Sequence, residues 1–212
     1  MKVVTAFPGA RGVDSLPFSK GGTLDQALKL RASGVEFFVG YLGAMTPARL
    51  KDVLDASLAF MPVTFAGEYK DGAADELAQL QTLGIPKGCT VWLDLEGVDA
   101  WNMPVDKLSA LIESWAAAIV GAGYIAGLYV GTPQPFTGKQ LYALKNITRY
   151  WLGIGRCLGK DGLDAYPQCG WCMRQDWHNQ GAGMMWKSTG VFVDTNSVQC
   201  DHQGRLPTWV VS

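Results

Sequence analysis

The chain is predicted to fold as an α/β barrel of the (β/α)8, TIM-like type, with helices that degenerate in the last third. Strand-like and helix-like segments alternate along most of its length, and eight strand-like segments can be counted. The competing open, doubly wound sheet calls for a glycine-rich phosphate turn after its first strand, and Gly12-Val13-Asp14-Ser15 offers none. With 212 residues, 48% of them apolar, one substantial core is possible, so a single domain over 1–212 is expected.

The first strand is read over Arg11 to Leu16. A helix follows from Thr23, a capping hydroxyl, to Ala32, with Gly34 as its stop. The aromatic and β-branched run Val35 to Tyr41 is the second strand. Thr46-Pro47 sets a capping hydroxyl before a first-turn proline and opens a helix expected to continue through Phe60. Met61 to Glu68 is the third strand, Ala73 to Leu83 a helix stopped at Gly84, and Thr90 to Glu96 the fourth strand. Pro104 starts a long helix to Ala122, because Leu108, Leu111, Ile112, Trp115 and Ile119 recur at helical spacing. The fifth strand is Ile125 to Val130, and a short helix runs near Lys139 to Leu144. Strands six, seven and eight are Arg149 to Ile154, Trp171 to Trp177 and Val191 to Val198. Between strands six and eight, Gly, Pro, Asn and Gln dominate and helical spacing fails.

A net charge of −1, without runs of Lys or Arg, argues against nucleic-acid binding and a polybasic membrane anchor. No apolar stretch reaches the roughly 18 to 20 residues of a membrane span, and the apolar run at Met1 to Pro8 is too short for a signal peptide. A soluble protein made in the cytoplasm is expected, released by lysis or carried on a particle if it acts outside.

The segment Val91 to Gly97 carries the clearest chemical signal. Alternation places Asp94 and Glu96 on one face of a strand and Leu93 and Leu95 on the other. Carboxylates sharing a site raise at least one pKa, which suits acid–base catalysis, while a salt-bridged or helix-capping pair is the structural alternative. In a barrel the carboxyl ends of the strands converge. There Asp14 ends strand one, Glu68 strand three and Asp94 and Glu96 strand four, while Asp194 lies on strand eight, which closes against strand one. Tyr41, Tyr69, Trp101, Tyr129 and Trp177 fall near the expected rim. Acids below aromatics suit a carbohydrate, because sugar rings stack on aromatic faces and carboxyl groups serve the glycosidic bond. Core packing is the alternative for each aromatic.

Three short motifs, Gly12-Val13-Asp14, Asp94-Leu95-Glu96 and Val193-Asp194-Thr195-Asn196, in that order, resemble the family-25 glycoside hydrolases, the lysozyme-type muramidases of bacteria and their phages. The resemblance is stronger to the glycoside-hydrolase-like barrels of domain-of-unknown-function family 1906. The run from Ala73 through Leu83-Gly84-Ile85-Pro86-Lys87-Gly88 into Thr90 to Asp94 is similar to that group, which favours a leucine-glycine-apolar-proline turn before its acidic strand. The resemblance implies a TIM-like barrel with Glu96 as general acid/base. Asp94 would orient groups or stabilise charge beside a substrate acetamido group, and Asp14 and Asp194 would line the same pocket. Tyr41, Glu68, Trp101, Tyr129, Arg174 and Trp177 are the candidate substrate-binding residues. Where the muramidases continue into a tryptophan-glutamine-tyrosine-like segment, this chain has Arg174-Gln175-Asp176-Trp177-His178, and Arg174 becomes a candidate to neutralise one of the acids.

The expected activity is hydrolysis of an N-acetylated cell-wall polysaccharide such as peptidoglycan, without a cofactor or metal. The alternative is a catalytically silent barrel that binds a partner in a virion or another assembly. Cys169-Gly170-Trp171-Cys172 precedes a strand rather than opening a helix, which argues against a redox pair. Free thiols, a disulfide and a zinc site drawn from Cys157, Cys169, Cys172 and Cys200 stay open. His178 and His202 are expected at the surface.

Overall fold

Alternation along the strands sorts the apolar residues into two layers. In this computed structural model, which describes residues 1–66, 73–95, 103–131, 136–153, 170–176, 184–186 and 191–212, eleven strands form one sheet system. They are β1 (Lys2–Thr5), β2 (Arg11–Asp14), β3 (Phe37–Tyr41), β4 (Ala59–Phe65), β5 (Thr90–Asp94), β6 (Ile125–Val130), β7 (Arg149–Leu152), β8 (Met173–Gln175), β9 (Met184–Trp186), β10 (Val191–Val198) and β11 (Thr208–Val211). Eight of them close a ring in the order β2, β3, β4, β5, β6, β7, β8, β10 and back to β2. The result is a mixed α/β fold built around a closed barrel.

Inside the ring, Phe37, Val39, Met61, Val63, Trp92, Trp151 and Met173 form one buried cluster. Their neighbours in the chain, such as Phe38, Phe60, Val91, Leu93, Leu128 and Leu152, belong to a second cluster outside it, with Leu30, Val53, Leu80, Ile112 and Trp115 from the helices. Period-two alternation produces this split, and a strand covered on both faces reads as a nearly unbroken apolar run. Gly127 makes room within the inner layer: a Cβ there would lie 2.4 Å from the Trp92 ring.

The helices begin where capping chemistry places them. They are α1 (Leu16–Gly21), α2 (Leu24–Ala32), α3 (Pro47–Asp55), α4 (Ala74–Thr82), α5 (Val105–Gly121) and α6 (Gly138–Tyr142). Thr23 with Gln26 and Thr137 with Gln140 form capping boxes at α2 and α6, and Thr46 precedes Pro47 at α3. On α5, Leu108, Ile112, Trp115 and Ile119 are the buried stripe that the helical spacing predicts.

Several readings of the sequence change, among them the fourth strand, which ends at Asp94. The first strand stops at Asp14, because Ser15 turns to cap α1, where its side chain accepts from the Phe18 N–H at 3.0 Å. The helix expected to reach Phe60 ends at Asp55; Ser57 takes a left-handed φ of 59° and Phe60 lies in β4. β1 and β11 were not read from the sequence at all. The last ring strand is antiparallel to both neighbours, β8 and β2, whereas the six preceding junctions are parallel. Among the described residues no helix follows Tyr142, so the regular (β/α)8 pattern is not met in the last third. The physical reason is that a parallel return needs a long crossover, whereas β10 pairs antiparallel with β9 just before it.

β1 and β11 pair antiparallel from Lys2↔Val211 to Thr5↔Thr208, and Val210 joins β4 at Phe60. Trp209 packs into the inner cluster against Phe37, with ring centroids 5.4 Å apart. Thr208 bonds Thr90 through its hydroxyl at 3.0 Å, and Arg149 Nε donates to the Leu206 carbonyl at 2.8 Å. Phe37, Thr90 and Arg149 stand at the starts of their strands, so this pair closes the amino-terminal end of the barrel. The polar inner-face residues lie at the opposite end. Among the described residues no helix is long and apolar enough to cross a membrane.

Gly127→Ala is expected to destabilise the fold by about 1–3 kcal/mol, because the added Cβ would overlap the ring of the fully buried Trp92. Equilibrium denaturation of the variant measures this, and an unchanged midpoint would show that the inner layer can yield.

Candidate functional site

At the carboxyl end of the parallel strands the inner face turns from apolar to polar. Asp14 ends β2, Tyr41 ends β3 and Asp94 ends β5, while Tyr129 and Trp151 occupy the matching inward positions on β6 and β7. Because β10 runs the other way, its first half reaches this end, and Asp194 stands opposite Asp14. Asp14 and Asp94 are buried, at 4% and 2% exposure.

Buried polar groups need partners, and here they form a connected set. Trp151 Nε1 donates to Asn196 Oδ1 at 3.0 Å, and Asn196 Nδ2 donates to Asp14 Oδ2 at 3.4 Å. The indole is a donor only, so it fixes which end of the Asn196 amide faces the carboxylate. The Tyr41 hydroxyl donates to Asp94 Oδ2 at 3.4 Å, and the Tyr41 ring stacks on Phe65 with centroids 4.5 Å apart. The Tyr129 hydroxyl donates to Gln175 Oε1 at 2.9 Å, and its ring packs against Trp151 at 4.5 Å. Gly153 leaves space for that hydroxyl, which would lie 2.7 Å from a Cβ at this position.

Asp14, Tyr41 and Asp194 line a cavity of about 270 Å³, together with Leu16 and Phe192. A smaller hollow of about 90 Å³ adjoins it through the shared Leu16 and Tyr41, and is bounded by Lys20, Thr64 and Phe65. Burial pushes the Asp194 carboxyl up from the ordinary carboxylate range, because its ionised form is poorly hydrated there. A carboxyl group held protonated more readily than usual can donate a hydrogen bond or a proton to a bound hydroxyl or ether oxygen.

The structure therefore brings Asp14, Asp194 and Tyr41 to one cavity and links Asp94 to it through Tyr41, with Tyr129 further along the same inner face. Glu96, Glu68, Trp101 and Trp177 lie outside the described residues, as do Tyr69 and His178. Arg174 is not brought to these acids. Met173 is in the inner cluster and Gln175 meets Tyr129, so Arg174 between them points out of the barrel, half exposed, with its Nε 3.6 Å from Asp176. His202 is exposed.

Asn196 and Trp151 received no role from the sequence. Both were within reach of the alternation argument: Asn196 is two residues beyond Asp194 on the same strand face, and Trp151 sits inward on a strand already identified. Phe192, two residues before Asp194, follows the same rule.

Cys89 and Cys172 are buried free thiols, and Cys200 is free and exposed. Burial raises both buried thiols, Cys172 to about 12, which keeps them protonated and poorly nucleophilic. Cys157 and Cys169 lie outside the described residues. Among the described residues no group of three His, Cys, Asp or Glu side chains is placed to hold a metal ion.

Asp194→Asn is expected to raise stability at pH 7 and to leave it unchanged near pH 3. A carboxyl whose folded pKa is raised costs nothing while both states are protonated; the cost enters as pH rises through the unfolded value, about 4, and is complete above the folded one. Melting curves at the two pH values measure it, and an equal gain at both would show that ionisation is not the cause. Asn196→Ala, which strips Trp151 Nε1 and Asp14 of a partner, is expected to cost about 1–3 kcal/mol in denaturant unfolding. No loss would mean that water replaces the amide.

No protein-family model and no curated protein matches the chain. Among solved structures, an uncharacterized B. stearothermophilus protein, determined at 1.07 Å, is similar at a TM-score of 0.60 and 16% identity, over 90% of this chain and 96% of that one. A xylose isomerase-like TIM barrel/4-hydroxyphenylpyruvate dioxygenase fusion protein aligns at a TM-score of 0.45 and 16% identity, over 66% of this chain and 26% of its own. The first likeness shows a shared fold over nearly the whole of both chains.

Proposed function

We propose that this protein is a glycoside hydrolase acting on an N-acetylated cell-wall polysaccharide such as peptidoglycan, in the manner of the muramidases its motifs resemble. In this reading the barrel is a TIM-like (β/α)8 barrel with degenerate helices in its last third and a reversed last ring strand. Glu96, two residues after Asp94 in the sequence, is the general acid/base. Asp94 orients the substrate or stabilises charge at the reacting carbon, and Asp14 and Asp194 line the pocket. Delivery to the wall follows lysis or attachment to a particle.

The observation that carries this reading is the grouping of Asp14, Asp194 and Tyr41 around one cavity, with Asp94 hydrogen-bonded to the same tyrosine. Glycoside hydrolysis needs an acid to protonate the leaving oxygen and negative charge near an oxocarbenium-like carbon. Carboxyl groups in differing environments can divide those tasks. Half-buried Asp194, with its raised pKa, suits hydrogen bonding to a sugar hydroxyl.

The test is mass analysis of fragments released from purified cell wall. The parent is expected to release muropeptides, and Glu96→Gln and Asp94→Asn to lower that rate by about 10²-fold or more without lowering the melting temperature. A Glu96→Gln variant as active as the parent overturns the role of Glu96. A parent that releases nothing from any wall preparation overturns the hydrolase and leaves a barrel that binds a partner within an assembly.

A further inference from the structure

Phe192 is 51% exposed, although large aromatic side chains normally gain by burial. The exposed Phe7 at least packs edge-on against Trp209, with centroids 5.7 Å apart, whereas the ring of Phe192 has no aromatic neighbour among the described residues. Its position is not random. It lies two residues before Asp194 on β10, so both side chains project from the same strand face, and both line the 270 Å³ cavity with Asp14 and Tyr41.

The backbone beneath Phe192 is held in place. The Ser15 hydroxyl donates to the Phe192 carbonyl while accepting from the Phe18 N–H at 3.0 Å, which ties this part of β10 to the first turn of α1. The aromatic is thus mounted on a fixed support beside two carboxyl groups. A ligand that rewards this arrangement has an apolar face for the phenyl ring and hydroxyl groups for the acids. A pyranose ring has both, since axial C–H bonds make its faces apolar and its hydroxyls project around the edge.

We propose that Phe192 is the stacking platform for an amino-sugar ring in this cavity, with the ring's polar edge turned towards Asp14 and Asp194. The substrate class rests on the hydrolase reading above; the role of Phe192 within the cavity goes beyond it. The adjoining hollow, reached across Tyr41 and flanked by Lys20, takes the next unit of the same chain, so the cleft binds oligomers better than single sugars.

Titration calorimetry on the full chain with a soluble tetramer of N-acetylglucosamine tests this. The parent is expected to bind the tetramer more tightly than the monomer. Phe192→Ala is expected to weaken the tetramer about three- to tenfold, with Phe192→Trp and the control Phe7→Ala close to the parent. Because the side chain is exposed, the melting temperature should not move. If the parent binds the tetramer and Phe192→Ala binds it equally well, the platform is overturned while the hydrolase reading stands. If the parent binds no amino-sugar oligomer and releases no wall fragments, both fall. If it releases fragments from wall without binding the tetramer, the platform for this sugar is overturned alone.

Discussion

β10 hydrogen-bonds on both of its edges, to β8 on one side and β2 on the other, and this double pairing converts a parallel sheet with two open edges into a barrel. Open edges expose unpaired N–H and C=O groups, so closure satisfies them and seals the inner layer from solvent at the seam. Its reversed direction matters as much as its presence. In a parallel strand the residue opposite Asp14 would be reached from the opposite end of β10. Running antiparallel, the strand brings Phe192 and Asp194 to the cavity and Asn196 to the Trp151 indole below it.

The two ends of the barrel solve different problems. At the amino-terminal end, β1 and β11 supply Trp209 to the interior and anchor through Thr208 and Leu206, so this end is packed and hydrogen-bonded like a core. At the carboxyl end the inner face carries carboxylates, an amide and phenols that must find partners in a space of low polarity. The Trp151–Asn196–Asp14 series and the Tyr41–Asp94 contact provide them. Such a network is rigid because each member's donor or acceptor is already committed, and rigid polar groups are what a binding site needs.

Much of the local structure could be read directly from the residues. Thr23 and Thr46 cap helices because a hydroxyl followed by a helix-forming run satisfies otherwise unpaired N–H groups, and this depends only on neighbouring residues. The strands Ile125–Val130 and Val191–Val198 were also legible from their apolar and β-branched content. Ser15 was misread because a serine after a strand can continue it or cap the next helix, and the outcome turned on its contacts with Phe18 and Phe192. The face that Arg174 takes was not legible, because whether Met173 or Arg174 points inward is decided only by ring closure.

The sequence by itself determined the alternation of strands and helices, most helix starts, and the presence of Asp14, Asp94 and Asp194 on strands, because these follow from spacing and capping over a few residues. Tertiary structure alone decided the direction of β10, the β1–β11 closure of the amino-terminal end, and which acids share a cavity. Those depend on pairing between segments up to 209 positions apart, as in Lys2 with Val211, and no local pattern carries the register of so distant a partner.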